Sequence, residues 1–284
     1  MTAHGRELGA ELRRRRELAG YQGQELARRL DWSPAKVSRV EVGARTITQA
    51  DVAMYLASCG VPRDELDPIV DLADEAAHDH RLKSHGEKLP DELRTLIFHE
   101  TTAAAIDSYE LIVVPGLLQT EDYTRALFRE VDQFSGESIE FRVRARMDRQ
   151  TLIRRADPPQ CMFFIHENAL RAPIGSNQIM HEQLLQLVFF TSRPQCVIRV
   201  VPVSVGGRGL ARASFRLMRY VEHDPVVYAE QDVVSLFLDR KVHTNHYCKV
   251  MNRLDHVALD EGESRRLLAD MASDFDGAEE GNDG

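Results

Sequence analysis

The sequence predicts an all-α bundle at the N-terminus followed by an α+β C-terminal domain. Three observations carry this. Over residues 1–60, apolar residues recur at helical spacing between glycine stops at Gly20, Gly43 and Gly60. Late in the chain, QCVIRVVPV, SFRLMRYVE, VVYAEQ and VSLFLD are rich in β-branched and aromatic residues, with turn-bounded strand lengths. Stretches of helical pattern precede, separate and follow such runs, which is the mixture an α+β domain requires.

The bulk numbers exclude several classes. The chain has 284 residues, 43% of them hydrophobic, and a net charge of -9. That length suits one large domain or two ordinary ones, with enough apolar material for real cores. No run of 18 or more apolar residues exists, so no membrane span is expected. The opening MTAHGRELGAELRRRR lacks the basic-then-apolar layout of a signal peptide, and a cytoplasmic protein is expected. Cys59, Cys161, Cys196 and Cys248 are far apart without a CxxC pair, so they read as reduced core residues rather than zinc ligands, a redox motif or a disulfide framework. Charge is unevenly placed: residues 1–60 sum to roughly +3 and the remainder to roughly -12. A basic head on an acidic body fits a small nucleic-acid-binding module joined to a domain with another task.

Each element follows in order. ELGAELRRRRELAG gives a first helix with Leu8, Leu12 and Leu18 inward, ended by Gly20. QELARRL is a short second helix with Leu26, Ala27 and Leu30 inward. A third runs from Pro34 to Gly43, and a fourth is N-capped by Thr48 and ends at Gly60, burying Val52, Tyr55 and Leu56. Residues 62–84 read as one more helix with Pro62 near its start. KSHGEKLP, residues 83–90, is polar and broken by Gly86 and Pro90, and reads as a boundary. Beyond it, YELIVVPGLLQT reads as a buried strand interrupted at Pro115-Gly116, TEDYTRALFRE as a helix with acids in its first turn, and SIEFRVRARMDRQTLIRR as a long basic amphipathic helix. CMFFIHENAL reads as strand and NQIMHEQLLQLVFFTS as helix. The four late runs are expected to form a mostly antiparallel sheet, with VHTNHYCKVMNRLDHVAL and EGESRRLLADMA as closing helices. The acidic, glycine-rich SDFDGAEEGNDG is expected to be disordered. The resulting division is 1–82 bundle with a trailing helix, 83–90 linker, 91–273 α+β domain and 274–284 tail.

The stretch DWSPAKVSRVEVG, residues 31–43, carries the chemistry. Serine is a good N-cap and proline suits the first helical position, so Ser33-Pro34 starts the third helix. Lys36 then occupies a place where the helix dipole prefers an acid, at a cost of about 0.3–1 kcal/mol. At about 100° per residue, Val37, Val40 and Glu41 share one face, while Ala35, Ser38 and Arg39 fall opposite with Lys36 beside them. That outer face is small, polar and basic and carries no acid. It suits the edge of a DNA groove, where phosphates would offset the repulsion at Lys36. With the short ELARRL helix and the three-residue turn Asp31-Trp32-Ser33, the two helices form a helix-turn-helix. A plain bundle with a solvated charged face explains the short second helix, the tight turn and the missing acids less well. Glu41 is expected to pair inward with an arginine of the first helix.

ELARRLDWSPAKVSRVEVG resembles the helix-turn-helix of the Xre/lambda-repressor-like family, with its A-x-x-L-x-x-S-x-x-x-V-S-R-x-E-x-G run. SYELIVVPGLLQTEDYTRALF, FIHENALRAPIG and VVYAEQ resemble the C-terminal domain of actinobacterial regulators of the Scr1 and WhiJ type, some described as antitoxin-like. The resemblance implies a transcriptional regulator whose N-terminal domain binds double-stranded DNA. Its C-terminal domain would bind a ligand or a small protein encoded by an adjacent gene. By position, Gln24, Ser33, Lys36, Ser38, Arg39 and Arg45 would face DNA. Arg39 is the first choice for guanine, since its fork matches O6 and N7. Ser33, Ser38 and Arg45 are assigned to phosphates. One departure is Gly23, which stands where the family carries a DNA-reaching glutamine; Gln24 is the candidate substitute. A homodimer is expected, with recognition helices about 34 Å apart.

Other chemistry is thin. His243 and His246 share a helix face but lack an evident third ligand. His166-Glu167 could mimic an acid–base pair, and a polar strand end explains it as well. GGRGLARAS lies between strands and reads as a loop rather than a phosphate cradle. The basic RVRARMDRQ helix reads as a solvated face or an interface. No catalytic residue, cofactor or metal is therefore expected. The competing classes are an antitoxin-like adaptor that mainly holds a small neighbouring protein, and an enzyme fused to a DNA-binding head.

Overall fold

The computed structural model describes residues 2–76, 83–84, 91–131, 136–230 and 234–280. They fall into two compact units: residues 1–83 with 236–239, and residues 84–235 with 240–284.

The first unit is helical: α1 (Ala3–Leu18), α2 (Gly23–Arg29), α3 (Pro34–Glu41), α4 (Gln49–Ser58), a 3-10 turn at Arg63–Glu65 and α5 (Asp67–Ala76). Leu8, Leu12, Leu26, Ala27, Val37, Val40, Val52, Tyr55, Leu56 and Leu72 form one core. Side-chain oxygens start three of the helices: Thr2, Ser33 and Thr48 accept from the backbone N–H groups of Gly5, Lys36 and Asp51. The ends of α1 to α4 share one geometry, in which a residue at positive φ (Gly20, Asp31, Gly43 or Gly60) lets the next N–H reach back to a carbonyl five positions earlier. Two expectations are corrected. Leu18 is 70% exposed; at about 100° per residue it lies well off the buried Leu8–Leu12 stripe. The helix expected over 62–84 opens instead with a 3-10 turn, because Pro62 is extended and the chain needs Arg63–Glu65 to turn, and continues as α5 to Ala76; residues 77–82 lie outside the described residues. Residues 236–239 belong to this unit, where Asp239 Oδ2 accepts from the Ala3 N–H at 2.6 Å and the Phe237 ring meets His4 edge-on at 5.6 Å.

In chain order the remaining elements are β1 (Lys83–Ser84), α6 (Asp91–Thr102), β2 (Ala105–Glu110), α7 (Glu121–Val131), α8 (Gly136–Gln150), a 3-10 turn (Thr151–Arg154), β3 (Gln160–His166), α9 (Glu167–Arg171), α10 (Asn177–Phe190), β4 (Cys196–Val201), a 3-10 stretch (Val203–Gly209), β5 (Phe215–Arg219), β6 (Val226–Glu230), β7 (Val234–Leu238), α11 (Lys241–Val257) and α12 (Glu261–Glu280). The α+β expectation holds, with strand order β1-β7-β6-β5-β2-β3-β4. The sheet is mixed rather than mostly antiparallel: β2, β3 and β4 are parallel, whereas β5 is antiparallel to both β2 and β6. The physical reason is connectivity. Chain segments carrying α7–α8 and α9–α10 cross over between the parallel strands, while a short turn joins β5 to β6.

Three more expectations change. The strand ends at Glu110, where the apolar run YELIVVPGLLQT begins. Residues 114–119 form a buried loop instead, because buried glutamines satisfy its backbone: Gln150 donates to the carbonyls of Gly116 and Gln119, Gln183 donates to Leu118, and Gln119 donates to Val114. The boundary segment 83–90 contributes Lys83–Ser84 to the sheet, and residues 85–90 lie outside the described residues. The expected disordered tail 274–284 is helical to Glu280, continuing a helix whose Leu268, Met271 and Ala272 are buried; its alanine and glutamates sustain a helix once a buried turn nucleates it. Residues 281–284 lie outside the described residues. No helix among the described residues is long and apolar enough to cross a membrane.

Candidate nucleic-acid interface

The α2–α3 pair is joined by residues 30–33. Asp31 sits at φ 54°, and Trp32 N–H reaches the Ala27 carbonyl at 2.8 Å. This turns the chain sharply and presents the start of α3. The helix is held from behind by α1: a Cβ at Gly9 would lie 2.6 Å from the carbonyls of Val40 and Glu41. Below it, Glu41 takes two hydrogen bonds from Arg16, at 2.7 and 2.8 Å, and one from the Tyr55 hydroxyl at 2.7 Å. The inward pairing expected for Glu41 is thus present. The Glu41 carboxylate raises the Arg16 guanidinium, and burial followed by Glu41 raises the Tyr55 hydroxyl, so both protons stay in place.

The six residues singled out in the sequence are all on this unit, but they do not form one patch. Gln24 and Ser38 are exposed and share a groove of about 520 Å³ with Arg13, Gln22 and Val42. Gln22 precedes α2 without a side-chain capping bond. Arg39 is exposed; its Nε–H donates to the Ala35 carbonyl at 3.1 Å, which leaves the two terminal nitrogens of the fork. Among the described residues no carboxylate pairs with Arg39. Ser33 is exposed, with its hydroxyl oxygen on the Lys36 N–H. Arg45 is exposed beside a separate small recess that includes Thr2 and Gly5.

Lys36 is placed differently from the reading that left it to phosphates. Its ammonium lies 3.5 Å from the centroid of the Trp32 ring and 3.6 Å from Asp51 Oδ2. Asp51 lies in the first turn of α4, three residues after the cap Thr48. The outer face of α3 has no acid of its own, but the bundle supplies one from the next helix. The sequence reading missed Asp51 and Trp32. The only local signal was the Thr48–Asp51 capping spacing, which says nothing of Lys36.

A helix-turn-helix domain family matches residues 7–69, which span α1 through the start of α5. A second family, described as a domain of unknown function (DUF5753), matches residues 93–270, more than half of the chain. The chain belongs to the DUF5753 family. Its DUF5753 domain takes in the elements from α6 to the middle of α12, and its helix-turn-helix domain is the kind a DNA-binding regulator carries. Neither a curated protein nor a solved structure matches the chain.

The remaining candidates of this DUF5753 protein have local partners. His166 caps α9, its Nδ1 accepting from the Asn168 N–H at 3.2 Å. Glu167 accepts from Arg171 and from the Val203 N–H. Among the described residues no group of three His, Cys, Asp or Glu side chains could hold a metal ion.

Proposed function

We propose that this chain is a sequence-specific transcriptional regulator of the Xre type, acting as a cytoplasmic, non-enzymatic homodimer on double-stranded DNA. The observation that carries this is Arg39: an exposed guanidinium on the second helix of the helix-turn-helix, tethered at Nε with two terminal nitrogens facing outward. That edge matches O6 and N7 of guanine. Ser38 precedes it on α3 and shares a groove with Gln24, while Ser33 and Arg45 are assigned to the DNA backbone. Lys36 adds long-range charge from its seat on Trp32. The DUF5753 domain, which resembles regulators of the Scr1 and WhiJ type, binds a ligand or a small protein from a neighbouring gene and brings two copies together.

Footprinting on the chain's own upstream DNA tests the reading. Arg39→Ala should weaken binding by about 1–3 kcal/mol and relax one base position. Protection of the same bases at the same concentration would remove Arg39 from the interface. An antitoxin-like adaptor remains the second reading, supported by the resemblance in SYELIVVPGLLQTEDYTRALF; it requires the neighbouring gene's product to co-purify with this chain.

A further inference from the structure

The first turn of the second helix is the part of a helix-turn-helix that meets the DNA groove. In α3 that turn is Pro34, Ala35 and Lys36, and Ser33, Pro34 and Ala35 are exposed. The Lys36 side chain is not: only 19% of it is accessible. A long cation in this position has water, or a phosphate, within reach, yet it lies along the protein. Its ammonium sits 3.5 Å from the centroid of the Trp32 ring and 3.6 Å from Asp51 Oδ2.

Both partners are held by the bundle. Trp32 packs against the helical core, with its ring 6.3 Å from that of Tyr55. Asp51 belongs to the first turn of α4, where its N–H donates to the cap Thr48 Oγ1 at 3.1 Å. The seat for Lys36 is thus formed before any DNA arrives. Of the three cations assigned to DNA by position, it is the one with an acid beside it. Among the described residues neither Arg39 nor Arg45 pairs with a carboxylate. Residue type matters as well. Lys36 is the only lysine in residues 1–82, where every other fixed positive side chain is an arginine. An ammonium is a compact point charge on a flexible stem, and can swing from a ring to a phosphate without matching a planar edge. The Asp51 carboxylate is 27% exposed, so water screens the pair and it adds little to stability. Its consequence lies in competition: a phosphate must take the ammonium from Asp51.

We propose that Asp51 restrains DNA binding by holding Lys36 on Trp32, away from a phosphate that the first turn of α3 would otherwise engage. Asp51 acts through Lys36 as a positioning residue and sets affinity below what the α3 sequence alone would give. This deepens the proposed function and rests on the reading of α2–α3 as a DNA-binding motif.

The test compares four full-length chains: wild type, Asp51→Asn, Lys36→Met and the double variant. Each is titrated by fluorescence anisotropy against a duplex from the chain's own upstream DNA and a duplex of arbitrary sequence, from about 50 to about 200 mM salt. A phosphate contact is blind to sequence. Asp51→Asn should therefore tighten binding to both duplexes about 3–10-fold at the lowest salt, and steepen the dependence of log affinity on log salt by about 0.9, one more neutralised phosphate. A lysine acting only from a distance would make Lys36→Met equally costly whether position 51 carries the acid or the amide. Under the restraint, Lys36→Met costs at least about threefold more in the Asp51→Asn background. Equal costs, or unchanged binding by a folded Asp51→Asn chain, would overturn the proposal. A readout on the wild type stands even if a variant fails to fold. With isotope-labelled lysine, the Trp32 ring should shift the Lys36 ε-protons upfield both in the free chain and in the DNA complex. Loss of that shift on adding DNA would mean that Asp51 does not hold the lysine. Failure of the broader reading looks different. A wild type that prefers its upstream duplex but shows equal Lys36 costs loses the restraint alone. Unequal costs with no preference between duplexes keep the restraint and remove sequence-specific regulation. A wild type that binds neither duplex removes both.

Discussion

Lys36 shows how one side chain changes meaning between sequence and structure. On its own helix it opposes the dipole. In the bundle it rests on the Trp32 ring and faces Asp51, so the repulsion is offset within the protein before DNA arrives. Glu41 has the firmer role. Its carboxylate and the Arg16 guanidinium are both about 90% buried and joined by two hydrogen bonds. Glu41→Gln keeps the shape but removes the arginine's buried carboxylate, leaving it the half-exposed Glu17 at 3.7 Å and the Tyr21 carbonyl, and should cost about 1–3 kcal/mol in chemical denaturation. His166 brings a pH dependence. Burial holds its imidazole below the ordinary 6.5, and its Nδ1 must stay unprotonated to cap α9. The unfolded chain therefore binds a proton near pH 6.5 that the folded one refuses. Stability is unaffected above that pH and declines as pH falls below it, toward the folded value. Urea midpoints measured from pH 7.5 to 5 should show this decline, and His166→Asn, which can cap without titrating, should reduce it.

At the scale of elements, caps and stops decide the bundle. Ser33-Pro34, Thr48, Gly43 and Gly60 each mark the helix end read from the sequence, because capping depends on residues within a few positions of one another. Asp31 is the exception among the stops: it holds the left-handed conformation that glycine occupies at the other three helix ends. Asp31→Gly should raise the stability of the helical unit by about 0.5–1 kcal/mol without moving α3, as measured by thermal unfolding. The contact between α1 and α3 is less forgiving. A methyl at Gly9 has backbone carbonyls 2.6 Å away, so Gly9→Ala must separate the helices. DNA affinity should fall in that variant although Gly9 touches no base, and an unchanged footprint would show that the position of α3 is not fixed by this packing. The loop 114–119 was illegible for the opposite reason. Its apolar run fits a strand, and the glutamines that satisfy it come from α8 and α10, up to 65 residues away.

At the scale of the molecule, the helical unit is not a contiguous stretch of sequence. Residues 236–239 join it, with Asp239 accepting from the Ala3 N–H and Phe237 against His4. A fragment of residues 1–82 lacks both partners and should unfold about 1–3 kcal/mol more readily than the same helices in the full chain, as read by urea titration. An equal midpoint would mean that these contacts contribute nothing to stability. Charge also acts at this scale. The first 60 residues carry a small positive excess on a chain of net charge -9, so operator affinity should fall steeply with salt as phosphate contacts release counterions. A nearly flat salt dependence would count against the proposed backbone contact of Arg45.

What the sequence determined alone is what neighbours along the chain decide: the starts and stops of α3 and α4, the helix-turn-helix, the outward face of Ser38 and Arg39, and the α+β character of the second unit. These depend on periodicity and capping, which act over a few residues. What only the tertiary structure decided are the pairings between distant segments. Asp51 under Lys36, the parallel trio β2–β3–β4 and the glutamine-held loop each require groups that meet only after folding. An isolated sequence carries no distance between them, and electrostatics and hydrogen bonding depend on that distance.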